Sequence, residues 1–490
     1  MLKLSSIKFI EKVLFTTVLM FFHCSFVKAQ TKESQVDVLI NREMKERKIP
    51  GLQVAIVQNG NIILNKSYGI ANIQDDIPVR SNSVFAINSI TKVFTGTAIM
   101  QLAESGKIDI SAPVSHYLDA LPESWSKITI KQLLTHTSGL PDVLRLMDPQ
   151  TGGFATYKNE KAIWEKLITL PMDFEPGERF SYNQTNGDLL GKIIEKYSGK
   201  KFVEKFEEQF NVAGMKHTVF GDSRDVIPHM APTYFWRKSL DGEVLPEPKL
   251  INNYFEFPYF RRTSSGLNST SEDLAKWIIA LTSGKLLSKA SLEQMWQPSK
   301  FNSGKTIPWV LGWGMNKLRS KHRAIGMSGG GRAAFLVYPE DDLSVIVLTN
   351  LGGSYPEDFL EELAGIYNGD ITKSDPVTLL RTTLREIGFD KAIRFTEQEK
   401  KANPYFVPDE FELNEWAYRL AAKEQNQEAL EIFKLNVHLF PQSWNVYDSY
   451  GEILLKTGDQ KKAIAMYQKS VELNPKNEHG LQVLQNMLKK

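Results

Sequence analysis

Two strand-like stretches set far apart constrain this chain more than any other feature. "IPGLQVAIVQNGNIILNKSYG", Ile49–Gly69, reads as strand, turn, strand, with Asn59-Gly60 between two apolar, β-branched runs. That pairing is a strong hairpin signal. "AAFLVYPEDDLSVIVLTN", Ala333–Asn350, reads as two more strands joined by an acidic turn. The residues between are mostly helices and loops. Strands at both ends of such a segment predict one sheet assembled from distant parts of the chain, an α/β body with a helical insert.

One helix of that insert stands out. In "SITKVFTGTAIMQLAESG", Ile90, Val93, Phe94, Thr97, Ala98 and Leu102 fall at helical spacing, and Gly106 offers a stop. "EDFLEELAGIYN", Glu357–Asn368, also reads as helix.

The last eighty or so residues differ. Ala429, Phe433 and Pro441 recur as Ala463, Tyr467 and Pro475, each 34 positions on, with Trp416, Tyr450 and Gly451 filling further positions. This pattern resembles the tetratricopeptide repeat, which implies paired helices and a concave peptide-binding face. The other reading is a structural cap or a dimer surface. Two such repeats bury little surface alone, so they are expected to dock on the body or on a third hairpin. Pro376–Glu386 and Phe389–Lys400, split by Gly388, are candidates for that hairpin.

The chain begins with Lys3, Lys8 and Lys12, then an apolar run from Val13 to Phe22, then Val27-Lys28-Ala29. That run is too short to span a membrane and suits a secretory signal cut near Gln30, with an uncleaved anchor as the alternative. The expected localisation is therefore periplasmic or extracellular. Cys24, the single cysteine, lies in this segment, so the exported chain would hold no thiol. A formal charge of +2 gives no basic face for nucleic acid. The eight histidines include no His-x-x-x-His pair, and no metal or cofactor is expected. Around "GKT", Gly304–Thr306, Ser299 stands where a phosphate loop needs its first glycine.

The chemical signal is Ser89-Ile90-Thr91-Lys92 at the start of the apolar helix. A serine hydroxyl is a weak nucleophile until a neighbour takes its proton. A lysine does this where burial or a helix N-terminus disfavours its charge. Alone, the pair also fits an N-capping serine beside a solvated lysine. "FAINSITKVFTGTAIM" is apolar on both sides of the pair, however, and a solvated lysine fits poorly there.

With that helix, "ITIKQLLTHTSGLPD", "FSYNQTNGDLLGKIIEKYSG" and "SSGLNSTSEDLAKWIIAL" together resemble the serine β-lactamase-like superfamily over roughly Val36 to Tyr367. Class C β-lactamases, D-alanyl-D-alanine carboxypeptidases, D-aminopeptidases and esterases belong there. The resemblance implies a two-lobe α/β fold, an antiparallel sheet flanked by helices plus an all-helical lobe, with the site between them. It makes Ser89 the acylated nucleophile, Lys92 its partner base and Tyr182 the proton shuttle. Gln184 replaces the family's usual Asn, keeping the amide one methylene farther out. His136, in "LLTHTSGL", belongs by resemblance to a signature of the fold. The aromatics of "NNYFEFPYF", Asn252–Phe260, fit either a pocket mouth or core.

The family's Lys/His-Thr/Ser-Gly motif falls on Met327-Ser328-Gly329, so its basic residue has become Met327. In penicillin-recognising relatives that side chain helps hold a substrate carboxylate. Either the substrates lack one, or another cation serves, with Arg332 nearest and His322 and Arg323 upstream; packing is the other reading of Met327. By resemblance the amides of Ser89 and Gly330 form the oxyanion hole, and Gly329 and Gly330 let substrate approach the strand closely. "GMSGGG" also matches Gly-x-Ser-x-Gly, but a nucleophile elbow needs a helix after the serine, and "RAAFLVYP" reads as strand. The expected organisation is a signal at 1–29, a hydrolase domain at 31–368, a helical linker or capping hairpin at 369–408 and repeats at 409–490. The expected partners are a small-molecule or peptide substrate, and a protein at the repeats.

Overall fold

The computed structural model describes residues 31–148, 153–154, 156–240 and 243–488. The signal reading of 1–29, with Cys24, lies outside the described residues. Among them, no helix is long and apolar enough to cross a membrane.

A seven-stranded antiparallel sheet forms the centre. Its strands, numbered in chain order within this sheet, are β1 Gly51–Gln58, β2 Asn61–Asn72, β3 Ile77–Pro78, β4 Met315–Lys317, β5 Ala324–Gly329, β6 Ala333–Tyr338 and β7 Leu343–Thr349. The spatial order is β3-β2-β1-β7-β6-β5-β4. β1 therefore sits between its own hairpin partner and the far end of the domain, with Leu52 opposite Thr349 and Gln58 opposite Leu343. Asn59 and Gly60 take φ of 52° and 71°, the left-handed pair that a tight hairpin turn requires.

Both faces of the sheet are covered, and strand alternation decides which residue faces which layer. Leu52, Val54 and Ile56 join Ala334, Leu336, Val345 and Val347 in one core, capped by Val36, Leu39 and Ile40 of the Lys32–Arg47 helix and by Leu360 and Leu363. Ala55, Val57, Met327, Phe335 and Ile346 face the other core. That core holds the helical lobe: the helices Thr91–Glu104, Thr185–Ser198, Phe202–Ala213 and Ser271–Thr282. The Thr91–Glu104 helix runs through its middle, and every residue from Thr91 to Met100 is buried. Of the "NNYFEFPYF" aromatics, Phe257 and Phe260 are buried and Tyr254 is exposed.

After the Leu360–Gly365 helix the chain is helical. Pro376–Ile387, Ala392–Ala402, Glu410–Ala422, Asn426–Leu439, Trp444–Lys456, Gln460–Leu473 and Glu478–Leu488 follow one another. Leu380, Leu384 and Ala392 share an apolar cluster with Leu413, Trp416, Ala429 and Phe433, so the first two helices pack with the next pair. Of the positions repeated at 34, Ala429 and Phe433, then Ala463 and Tyr467, are buried, whereas Pro441 and Pro475 are exposed. Gly451 lies flat against the Tyr467 ring.

Candidate active site

Ser89 sits in the single turn Asn88–Ile90 that leads into the Thr91–Glu104 helix. Asn88 enters that turn at φ 44°, a left-handed conformation that asparagine tolerates better than most residues. Because the helix is buried around it, Lys92 is only 6% exposed. Its Nζ donates to the Ser264 carbonyl at 2.8 Å and to Gln184 Oε1 at 3.2 Å. Burial pulls the lysine below its ordinary range, against an opposing pull from Tyr182. Burial disfavours the ammonium, and no carboxylate among the described residues forms an ion pair that would restore it.

Tyr182 closes the group. Its hydroxyl donates to Ser89 Oγ at 2.8 Å. Its ring centre is 4.8 Å from Lys92 Nζ, and the side chain is 37% exposed at the surface of the cleft. Ser89, Lys92, Tyr182 and Gln184 thus come from two distant segments and meet at one point.

His136 stands behind Tyr182 and not beside Ser89. It is buried at φ 54°. Its Nδ1 accepts from the Asn183 amide at 3.1 Å and lies 3.1 Å from Asn186 Nδ2. Ser138 Oγ donates to Asn186 Oδ1 at 2.7 Å, which turns the Asn186 NH₂ toward the ring. Nδ1 is therefore the acceptor, and the proton resides on Nε2. Burial, with Lys92 nearby, holds the imidazole well below its ordinary range. The neutral ring packs 4.7 Å from Tyr182 and 4.8 Å from Trp309, so it braces the tyrosine.

The opposite wall is the end of β5. Gly329 has no room for a side chain: a Cβ would lie 2.0 Å from the Ile87 carbonyl oxygen and 3.1 Å from the Ser89 nitrogen. This close approach sets the strand's end against the Ser89 turn. Gly330 follows at φ 59° and Gly331 at φ 60°. β5 is succeeded by β6 with no helix between, so Ser328 does not occupy a nucleophile elbow. Met327 is 3% exposed, faces Phe335 across the β5–β6 pair and belongs to the core.

The three basic residues near Met327 separate clearly. His322 pairs with Asp341 at 2.8 Å, and Arg323 pairs with Glu340 at 3.0 Å. Arg332 is 5% exposed, and its Nε and Nη1 have no hydrogen-bond partner. Its guanidinium lies 5.6 Å from the Phe255 ring centre and borders Gly330. Burial alone pulls it down to about 10. A second under-partnered arginine, Arg261, lies on the Tyr182 side with Nε unpaired, and its charge adds to the downward pull on Lys92.

Sequence reasoning missed Ser264, Trp309 and Arg261. Ser264 acts through its carbonyl, which has no side-chain signature. Trp309 lies in a loop stretch, "WVLGW", that carries no motif. "RRTSSG", Arg261–Gly266, did carry a signal: two arginines entering a small-residue run.

This chain belongs to the Beta-lactamase family, whose model matches residues 36–365. The family is one of serine hydrolases. Penicillin-binding protein 4* of Bacillus subtilis is 29% identical over 335 residues, 66% of this chain and 72% of that protein. The octameric penicillin-binding protein homologue from Pyrococcus abyssi superposes with a TM-score of 0.58 at 26% identity, covering 72% of this chain and 82% of that one. A class C β-lactamase shares the fold at a TM-score of 0.56 and 23% identity, over 69% of this chain and 98% of that one.

Proposed function

We propose that this protein is an exported serine hydrolase acting through a Ser89 acyl-enzyme on small esters, amides or D-amino acid peptides. The observation that carries this is the 2.8 Å contact between the Tyr182 and Ser89 hydroxyls, with Lys92 buried behind them and in no ion pair with a carboxylate among the described residues. Once Tyr182 has passed its hydroxyl proton to neutral Lys92, its oxygen takes the Ser89 proton as Oγ attacks the substrate carbonyl. The amides of Ser89 and Gly330 receive the developing oxyanion. Tyr182 then hands its proton to the leaving group, and water releases the acid by the reverse relay. Lys92 stabilises ionised Tyr182 when charged and accepts a proton when neutral. Gln184 holds Lys92 in place. A substrate carboxylate on the β5 side would meet Arg332, because Met327 cannot hold it.

The test is labelling with a serine-reactive fluorophosphonate, followed by adduct mapping. The expected result is a label on Ser89 that disappears in Ser89→Ala, with ester turnover falling by on the order of 10⁴-fold or more. Absence of both label and p-nitrophenyl ester turnover sinks the reading.

A second reading follows from Met327 and the C-terminal helices. The catalytic fold would then serve recognition, and tetratricopeptide repeats would carry the function through a protein partner. Its support is the core position of Met327 and the burial of Ala429, Phe433, Ala463 and Tyr467.

A further inference from the structure

We propose that the C-terminal helical region holds the oxyanion-side turn in place, with Arg419 and Asp358 as positioning residues; this rests on the acyl-transfer reading. The turn runs from Gly329 to Arg332 between β5 and β6. Gly330 and Gly331 both take positive φ and carry no side chain, so neighbours must fix the turn. The Gly331 carbonyl accepts from the Tyr355 amide at 3.0 Å and from the Ser354 hydroxyl at 3.0 Å. The Tyr355 ring lies against Gly331, where a Cβ would be 3.2 Å from it. These contacts come from Ser354 and Tyr355, which lead directly into Asp358.

Arginines fix that segment in turn. Tyr355 is itself left-handed, at φ 46°. The Arg419 guanidinium lies 5.2 Å from its ring centre, with Nε 3.0 Å from the Asp358 carboxylate. Arg381 donates to the Asp358 carbonyl and approaches its carboxylate at 3.5 Å. Arg47, from the body, reaches the same carboxylate at 3.0 Å. Burial opposes the charge on Asp358, but Arg381, Arg47 and Arg419 outweigh it and hold the carboxyl well below its ordinary range. Arg381 and Arg419 belong to helices that follow the sheet domain, Pro376–Ile387 and Glu410–Ala422. Two contacts therefore separate a C-terminal arginine from the turn: guanidinium on ring, ring on glycine. Misplacing a catalytic group by about 1 Å costs on the order of 100-fold in rate.

The test uses the full chain with Arg419→Gln, Arg419→Lys and, as a control on the distal helix, Lys462→Gln. Two quantities are measured: kcat and KM for p-nitrophenyl acetate, and amide hydrogen exchange over residues 324–335. The expected result for Arg419→Gln is a kcat about 10- to 100-fold lower with KM within about threefold, together with faster exchange at the turn. Arg419→Lys should restore part of both, and Lys462→Gln should match the parent. If Arg419→Gln does not fold, Tyr355→Leu removes the intervening ring and is read the same way. Unchanged exchange at the turn overturns the proposal, as does faster exchange with unchanged kcat. If the parent protein shows no turnover, the acyl-transfer reading fails, and the exchange result alone decides whether Arg419 holds the turn.

Discussion

Two lysines, Lys92 in the cleft and Lys317 at the seam with the C-terminal helices, are both largely buried and are pushed in opposite directions. Lys92 donates only to a carbonyl and an amide, and burial lowers it. Lys317 faces Asp375 at 3.1 Å and Glu412 at 2.6 Å. Burial works against its charge too, but Asp375, Glu412 and Glu361 outweigh burial and hold it above its ordinary range. Arginines divide the same way. Arg47 at the seam has Glu43 and Asp358, whereas Arg332 by the cleft has no carboxylate among the described residues. Burial alone does not distinguish a structural cation from a chemical one; the supply of counter-charge does.

The largest effect expected from this contrast is on Lys92. Lys92→Met should lower acylation roughly 10²–10⁴-fold, the range typical of losing a positioned acid–base group. The same change should leave thermal stability no lower, since it removes a buried charge without an ionic partner. The sign with pH follows from linkage. The folded value lies below 10.5, so the unfolded chain holds its proton to higher pH and the parent gains stability as pH rises toward 10.5. The stability gap between parent and Lys92→Met should therefore narrow in alkali, as calorimetry across pH would show; a widening gap would reject a depressed Lys92.

Lys317→Met should behave oppositely. It leaves Asp375 and Glu412 short of a cation and should cost roughly 3–5 kcal/mol of stability, read from denaturant unfolding. Arg332→Met comes next. Its kcat/KM for an ester carrying a carboxylate should fall about 10- to 100-fold, the worth of a hydrogen bond to a charged group. An equal loss for a neutral ester would show that Arg332 shapes the turn and binds no carboxylate.

The smallest effect concerns Glu361. Burial and the adjacent Asp375 push it up to about 7, against Lys317 and Arg319. The folded state then holds its proton between about 4.5 and 7, so this group's contribution to stability declines as pH rises through that window. Glu361→Gln should flatten the melting temperature between pH 5 and pH 7 by a few degrees relative to the parent. An unchanged slope would place the titration elsewhere.

Sequence made the frame of the molecule readable because its signals are local and periodic. The Asn59-Gly60 hairpin, the Ser89 helix and the Ala333–Asn350 strands each carry their own pattern. That strands from both ends join one sheet was expected; which of them pair, β1 with β7, came from the structure. Ser89, Lys92, Tyr182 and Gln184 were legible as motifs, and the structure brings them together. Choosing among Arg332, His322 and Arg323 was not legible, because the answer lies in which carboxylates stand opposite, and Asp341 and Glu340 approach only through the fold. The Ser264 carbonyl was hidden for a related reason: main-chain acceptors look alike in every sequence. The charged seam was equally silent. Arg47 in the charged run Lys45–Lys48, Asp358 beside Glu357, and Arg381 and Arg419 read as solvated surface until packing collects them.

The position of β1 beside β7 also has a consequence in time. Leu52 and Thr349 face each other across 297 positions of chain. At a synthesis rate of about 5–20 residues per second, roughly 15–60 s pass between making one and making the other. Throughout that interval the β1–β2 hairpin carries an open apolar edge, the kind that invites wrong pairings. Yield in cells should therefore depend on how that edge is shielded while the chain is incomplete, and truncations ending before Leu343 should aggregate even though every residue of the Ser89–Tyr182 site is present.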